Sequence, residues 1–294
     1  MIKISKICTK DDLALFKRFM NECLPLSDDS LLLGASINDI PCGALMADTK
    51  NKNNGTCDVE FLFVHPQVRR MGVATKLLNT LIEKAKKLKC NKVIVKSVKD
   101  MKTINEVSHF FKNHKFNPVE IESNVWSITP KHLYESGRIK EFTNRKITIP
   151  KNIDICPLEQ IDKNLLASLK EKKNIDYEEM YDPFSEKDRV KLKHINTFFA
   201  VHNSDEIVGW IAGLDAFGKA IHYRSMFVKE KYRNLALGYT LENICMKNHI
   251  KKYSNRSILF AIATTNKNMF KFSSLYYKGI NKDIRYEFRF TKNL

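Results

Sequence analysis

One order of elements is written twice along this chain, and that duplication limits the fold more than any composition figure does. In the first half, LLLGASINDIPCGALMAD reads as two strand-like runs turning through Asn38-Asp39, with Gly43 following. CDVEFLFV comes next. Simple alternation predicts Asp58, Glu60, Leu62 and Val64 on one face and Val59, Phe61 and Phe63 on the other. Both faces carry large apolar side chains, so this strand is expected at the centre of a sheet. In RRMGVATKLLNTLIEKAKKLKCN, Leu77, Leu78, Leu81, Ile82, Ala85 and Leu88 recur at helical spacing with lysines between them, which predicts an amphipathic helix ending near Asn91. KVIVKSV reads as a second buried strand, INEVSHFFKNHKF as a short helix with Ile104, Val107 and Phe111 on one side, and NVWSITP as a closing strand.

The second half follows the same order: a hairpin in TFFAVHNSDEIVGWIAGLD, a strand in AIHYRSMFV, a helix in YRNLALGYTLENICMKNHIKK, a strand in SILFAIAT and a last strand in IRYEFRF. Val64 and Val228 hold corresponding places, so the repeat has the size of a domain, not of a solenoid unit. The expected architecture is α+β in two tandem domains, residues 1–130 and 150–294, with a packed connector over 131–149. A length of 294 residues suits two such cores. The charged stretch from Lys170 to Lys193 falls where the first copy has LPLSDD, and reads either as solvated helices or as a lid on the substrate side.

Composition narrows the function. Hydrophobic residues make up 43% and aromatics 10%, as in an ordered soluble protein. No run approaches the roughly 20 apolar residues of a membrane span, and MIKISKICTKDD lacks the apolar core of a secretion signal, so a cytoplasmic location is expected. Seven cysteines (Cys8, Cys23, Cys42, Cys57, Cys90, Cys156 and Cys245) form no CxxC pair and no cluster with histidines, which points to reduced, packed thiols without a metal. The net charge of +17 invites a nucleic-acid reading. However, 39 of the 50 basic residues are lysines spread along the whole chain, which fits solvated faces better than a phosphate-tracking patch. A positive field of that size would still concentrate a polyanionic ligand.

The chemistry lies in VHPQVRRMGVATKLL, Val64 to Leu78, where a central strand runs through a glycine-containing turn into a helix. Such a junction leaves backbone N–H groups unpaired at the positive end of a helix dipole, where they can hold a pyrophosphate. Gly72 leaves room for the phosphate, Ala74 keeps the next turn small, Thr75 adds a hydroxyl, and Arg69 and Arg70 add charge.

With Val64-His65-Pro66 followed by Arg69-Arg70-Met71-Gly72-Val73-Ala74, the segment resembles the signature of the GNAT superfamily of acyl-CoA-dependent N-acyltransferases, Gln/Arg-x-x-Gly-x-Gly/Ala. Asn105 with FFKNHKF is similar to that family's Asn…Phe-Tyr-x-x-x-Gly-Phe segment, and the resemblance covers about residues 2–130. It implies a mixed sheet splayed between its fourth and fifth strands, with acetyl-CoA as acyl donor. Phe63 and Val64 would hold the pantetheine, Arg69 to Thr75 the pyrophosphate, and Asn105 and Phe111 would complete the cofactor site. It also implies direct transfer of acetyl to an amine with no covalent enzyme intermediate. Phe111 stands where the family often has a tyrosine acid, and Lys115 where it has glycine. Asp58 and Glu60 are the candidate bases, with His65, His109 and His114 as lesser ones.

The second copy, over about 150–294, also resembles the family, with changes. Ala236 replaces Gly72, Gly238 stands at the Ala74 position, and His222 takes the slot of Asp58. Asn268 and Gly279 resemble the helix pair, and Tyr276 and Tyr277 lie near the place of the missing acid. The intact loop favours cofactor binding in the first half, with a small amine, amino acid or peptide end as acceptor. The two domains together could serve as a pseudo-dimer. A CoA-binding sensor or scaffold without turnover is the alternative, and a nucleic-acid partner rests on charge alone.

Overall fold

The computed structural model describes residues 1–7, 10–20, 29–49, 54–185 and 192–294, and Cys8, Cys23, most of LPLSDD and residues 186–191 of the charged stretch lie outside them. The chain divides into two units, Met1–Ser123 with Arg285–Leu294, and Asn124–Ile284.

Unit 1 begins with β1 (Ile2–Lys6) and α1 (Lys10–Met20), then the hairpin β2 (Ser30–Ile37) and β3 (Ile40–Asp48). Asn38 and Asp39 turn it at φ 50° and 61°, as a two-residue hairpin requires. β4 (Thr56–Val64), α2 (Val73–Lys87), β5 (Lys92–Lys99), α3 (Met101–Asn113) and the start of β6 (Glu120–Ile128) follow. The strands lie in the order β1-β2-β3-β4-β5, and the next place is taken by β12 (Asp283–Asn293), whose Tyr286 to Asn293 pair antiparallel with Lys99 to Lys92 of β5. IRYEFRF, which its position in the repeat assigned to the second half, therefore completes the sheet of the first. NVWSITP does the reverse, because its strand runs on from Glu120 into unit 2.

β4 and β5 pair in parallel only from Thr56/Lys92 to Val59/Val95, although both strands continue. The sheet is splayed there, as the family resemblance implied. One detail of β4 differs from simple alternation. Met46 pairs with Phe61 and Ala47 with Val59, so Glu60 is the extra residue of a β-bulge. The bulge switches faces: Cys57 and Val59 pack with Leu62 and Val64 against α2 and α3, while Phe61 and Phe63 join Phe16, Phe19 and Met46 on the α1 side. Asp58 thus shares the α1 side and does not share a face with Val64, which corrects the sequence expectation.

Unit 2 repeats the plan. It contains the rest of β6, α4 (Pro130–Glu135), α5 (Ile139–Asn144), β7 (Ile153–Pro157), α6 (Lys163–Glu171), β8 (Phe198–His202) and β9 (Glu206–Ala216). β10 (Ala220–Val228), α7 (Leu237–Lys252), β11 (Ser257–Ala263) and α8 (Lys267–Tyr276) complete it, in the strand order β6-β11-β10-β9-β8-β7. β10 and β11 pair in parallel only from Ala220/Ser257 to His222/Leu259, and Arg224 is bulged as Glu60 is. In both units a glycine lets the neighbouring strand and the helix above it pack close: a Cβ on Gly43 would lie 2.9 Å from the Phe63 carbonyl oxygen and 3.2 Å from Val73 of α2, and one on Gly209 2.9 Å from the Phe227 carbonyl oxygen and 3.5 Å from Leu241 of α7.

The connector is part of the core of unit 2. Leu133 and Phe142 are buried with Trp126, Phe260, Tyr276 and Tyr277. The described part of the charged stretch is anchored to the core at Tyr177, while Ile175 and Met180 stay exposed. Tyr177 meets Trp210 edge to face at 4.9 Å, and Lys173 bridges Glu179 and Asp182 at 3.2 and 3.3 Å. No helix among the described residues is long and apolar enough to cross a membrane, and they contain no metal-like cluster of His, Cys, Asp and Glu.

Candidate active site

The loop between β4 and α2 is built from two left-handed residues. Arg70 lies at φ 64° and Gly72, the N-cap of α2, at φ 83°. Arg69 folds back, its Nε donating to the Val64 carbonyl at 3.2 Å, so its side chain braces the loop. The helix ladder starts only with Lys76 N–H bonding to the Gly72 carbonyl. From Arg70 to Thr75 no backbone N–H has a hydrogen-bond acceptor among the described residues, and Gly72 offers no side-chain cap. An anion is the ordinary partner for such a row of donors. A Cβ on Gly72 would meet nothing within 4 Å, so the glycine is required here by its φ and by whatever approaches, not by a protein neighbour. Val73 is buried under the sheet, Ala74 and Thr75 are half-buried, and Arg70, Met71, Gly72, Lys76 and Asn79 are exposed, so this face of α2 is open.

The corresponding junction in unit 2 differs in two ways. Residues Glu230–Leu235 form a 3-10 helix, and only Ala236 is left-handed, at φ 54°. Arg233 repeats the brace, donating from Nε to the Val228 carbonyl at 3.0 Å. Its helix face, however, is covered. Thr240 and Asn243, which hold the places of Lys76 and Asn79, are 4% and 3% exposed. Thr240 donates to the Thr148 carbonyl, and Asn243 Oδ1 accepts from both Arg145 and the Tyr276 hydroxyl at 2.9 Å. Arg145 stacks over Phe142, Tyr239 and Tyr276, so the connector fills the groove between α7 and α8. A left-handed alanine is strained by about 1 kcal/mol. Ala236→Gly is therefore expected to stabilise the protein by about that amount, read as a raised urea midpoint with an unchanged slope.

The remaining candidates fall in different places. Phe63 is half-buried, its ring stacked on Phe19 at 5.2 Å on the α1 side. Phe111 is 5% exposed and stacks on Phe290 at 4.6 Å, so it is a core residue and its ring is not presented to a ligand. Asn105 lies exposed on α3, and Lys115 has φ 61°, the conformation for which a glycine was expected. Asp58 is half-buried and Glu60 exposed. His114 Nδ1 is held 2.8 Å from the Phe110 carbonyl, and His109 is exposed. Tyr276 and Tyr277 are buried and already bonded, to Asn243 and Glu242, and burial pushes both phenols up, away from proton transfer.

Glu242 was not anticipated from the sequence. Burial raises its carboxyl to about 7.

Residues 6–111 match the model of the "Acetyltransferase (GNAT) family". No curated protein matches the sequence. Among solved structures, a tandem GNAT protein from the clavulanic acid biosynthesis pathway aligns over 100% of this chain and 98% of its own, at 14% identity and a TM-score of 0.66. A GCN5-related N-acetyltransferase from Sphaerobacter thermophilus covers 96% of this chain and 85% of its own (16%, TM-score 0.59). A GNAT acetyltransferase from Colwellia psychrerythraea covers 98% and 99% (13%, TM-score 0.56). These alignments run through both units and establish the tandem fold.

Proposed function

We propose that this chain, which has the tandem GNAT fold and whose residues 6–111 match the GNAT acetyltransferase model, transfers acetyl from acetyl-CoA to a primary amine in unit 1. The observation that carries this reading is the contrast between the two junctions. The row of unpaired N–H groups from Arg70 to Thr75 leads onto a face of α2 that is open at Lys76 and Asn79, while the corresponding face of α7 is covered at Thr240 and Asn243 by Thr148 and Arg145.

Acetyl-CoA supplies an activated thioester, which the acceptor amine attacks directly. The Arg70–Thr75 amides and Arg70 would hold its pyrophosphate, Arg69 would keep the loop in shape, and the backbone of Phe63 and Val64 would line the splay. Asp58, half-buried on the α1 side, is the first choice for taking the amine proton, directly or through water, with Glu60 of the bulge as second. With Phe111 buried in the core, protonation of the departing sulfur falls to water or to the hydroxyl of another group.

That same feature supports the alternative of a CoA-binding sensor without turnover. A panel of primary amines with acetyl-CoA separates the two readings. The expected result is release of free thiol that depends on the amine and rises with pH as the amine loses its proton. Binding of acetyl-CoA by calorimetry with no thiol released by any amine would leave the sensor, and no binding at millimolar ligand would dispose of both.

A further inference from the structure

Unit 2 keeps a carboxyl group where unit 1 has a leucine. Counted from the first residue of each helix, Glu242 on α7 stands where Leu78 stands on α2, and it is 7% exposed against 0% for the leucine. A carboxylate offers about four acceptor sites. Among the described residues one donor, the Tyr277 hydroxyl, reaches it. Ser273 on α8 is fully buried, and its hydroxyl has no hydrogen-bond partner. Glu242, Tyr277 and Ser273 all line one cavity of about 110 Å³, which lies where β10 and β11 part. Its walls are mostly apolar, with Met226, Phe260, Ile262 and Met269, and the polar Tyr223, Ser225, Asn266 and Arg224 also line it. A cavity of this class takes a molecule near the size of benzene.

We propose that this cavity binds a primary monoamine with an apolar body, its ammonium group seated between Glu242 and Ser273. Each alternative leaves something uncompensated. An anion would set a second negative charge against Glu242 between mostly apolar walls. A neutral ligand would bring no counter-charge to Glu242, which would then have to keep a proton or stay ionised with no bonded cation. An ammonium supplies the charge and three donors, and Glu242 and the Ser273 oxygen are acceptors for them. Arg224 adds a positive charge to the same lining, which disfavours a ligand with a second ammonium group. Coenzyme A is a poor occupant, since the groove between α7 and α8 is filled by Arg145. This site is separate from the acetyl-transfer reading and is tested without acetyl-CoA.

The probes are n-hexylamine, n-hexanol, hexanoate and 1,6-diaminohexane, titrated into the full chain at pH 7.5 and followed by saturation-transfer NMR and calorimetry. Hexylamine is expected to bind at least tenfold more tightly than the other three. Glu242→Gln is expected to weaken it at least tenfold, and Met269→Trp, which fills the cavity from α8, to remove it. Near-UV circular dichroism establishes that each variant is folded. Hexanol binding as tightly as hexylamine, or hexylamine binding unchanged in both variants, would overturn the proposal. The second outcome would place the amine elsewhere, such as an acceptor site in unit 1. Absence of any hexylamine binding at tens of millimolar would overturn it equally.

Discussion

Gly72→Glu is expected to remove measurable acetyl-CoA binding, with at least a hundredfold loss of affinity by calorimetry, while Ala236→Glu changes the affinity less than threefold. Two effects act together at position 72. A side-chain-bearing residue at φ 83° is strained by about 1–2 kcal/mol. Its carboxylate would also stand where the row of N–H groups would receive a pyrophosphate. At about 4 Å and an effective dielectric of roughly 20, one pair of like charges costs on the order of 4 kcal/mol. The loop is exposed and a Cβ there meets no protein atom, so the fold should survive and the loss should be one of binding. Gly72→Ala, which keeps the strain without the charge, is expected to fall between the two. The reverse pattern, with Ala236→Glu abolishing binding and Gly72→Glu harmless, would move the cofactor to unit 2.

The second large effect is on stability against pH. Glu242 is held by burial at about 7, against about 4.5 when exposed, and the Tyr277 hydrogen bond pulls the other way without cancelling the burial. In the range between these values the folded state holds a proton that the unfolded state has lost, so stability falls as pH rises. The contribution is fully present below about 4.5 and is lost as pH rises through about 7. A shift of this size corresponds to about 3 kcal/mol. His249 works in the opposite sense: burial lowers it to about 4, so its share of stability is lost as pH falls from about 6.5 through about 4. The two oppose each other in the wild-type curve, and the difference between wild type and Glu242→Gln isolates the carboxyl. Urea unfolding at pH 5, 6, 7 and 8 should show the variant gaining about 2–3 kcal/mol relative to wild type across that range. A difference that stays flat with pH would show that Glu242 does not titrate in this window.

Much of this architecture is legible in the sequence because it rests on local signals. Asn38-Asp39 marks a two-residue hairpin, the leucines from Leu77 to Leu81 mark a helix face, and the glycine of RRMGVA marks a turn that opens a helix. The features that escaped are of another kind. The bulge at Glu60 is hidden because apolar residues stand on both sides of it, so the alternation reads smoothly through an inserted residue. The exchange of last strands is hidden because sequence order says nothing about which sheet edge a strand meets. Phe111 and Tyr277 carry the right chemistry types for a site, yet their burial depends on Phe290 and Glu242, far away in the chain. Glu242 did leave a signal: Glu242, Cys245 and His249 recur at helical spacing on the buried side of α7, an arrangement in which a glutamate is unusual.

The placement of β12 bears on how the protein is made. During synthesis the strands β1 to β5 leave the ribosome long before Arg285–Leu294, which must lie beside β5. At roughly 5–20 residues per second, the edge of β5 waits for many seconds with Val93, Val95 and Phe111 lacking the cover of Phe288 and Phe290. The first unit is therefore finished last, and the halves of the gene product cannot mature one after the other as beads on a string. A fragment ending near residue 130 would carry the phosphate loop on an incomplete sheet with an exposed strand edge, prone to self-association. A chain lacking Arg285–Leu294 should fail first in unit 1, far along the sequence from the residues removed.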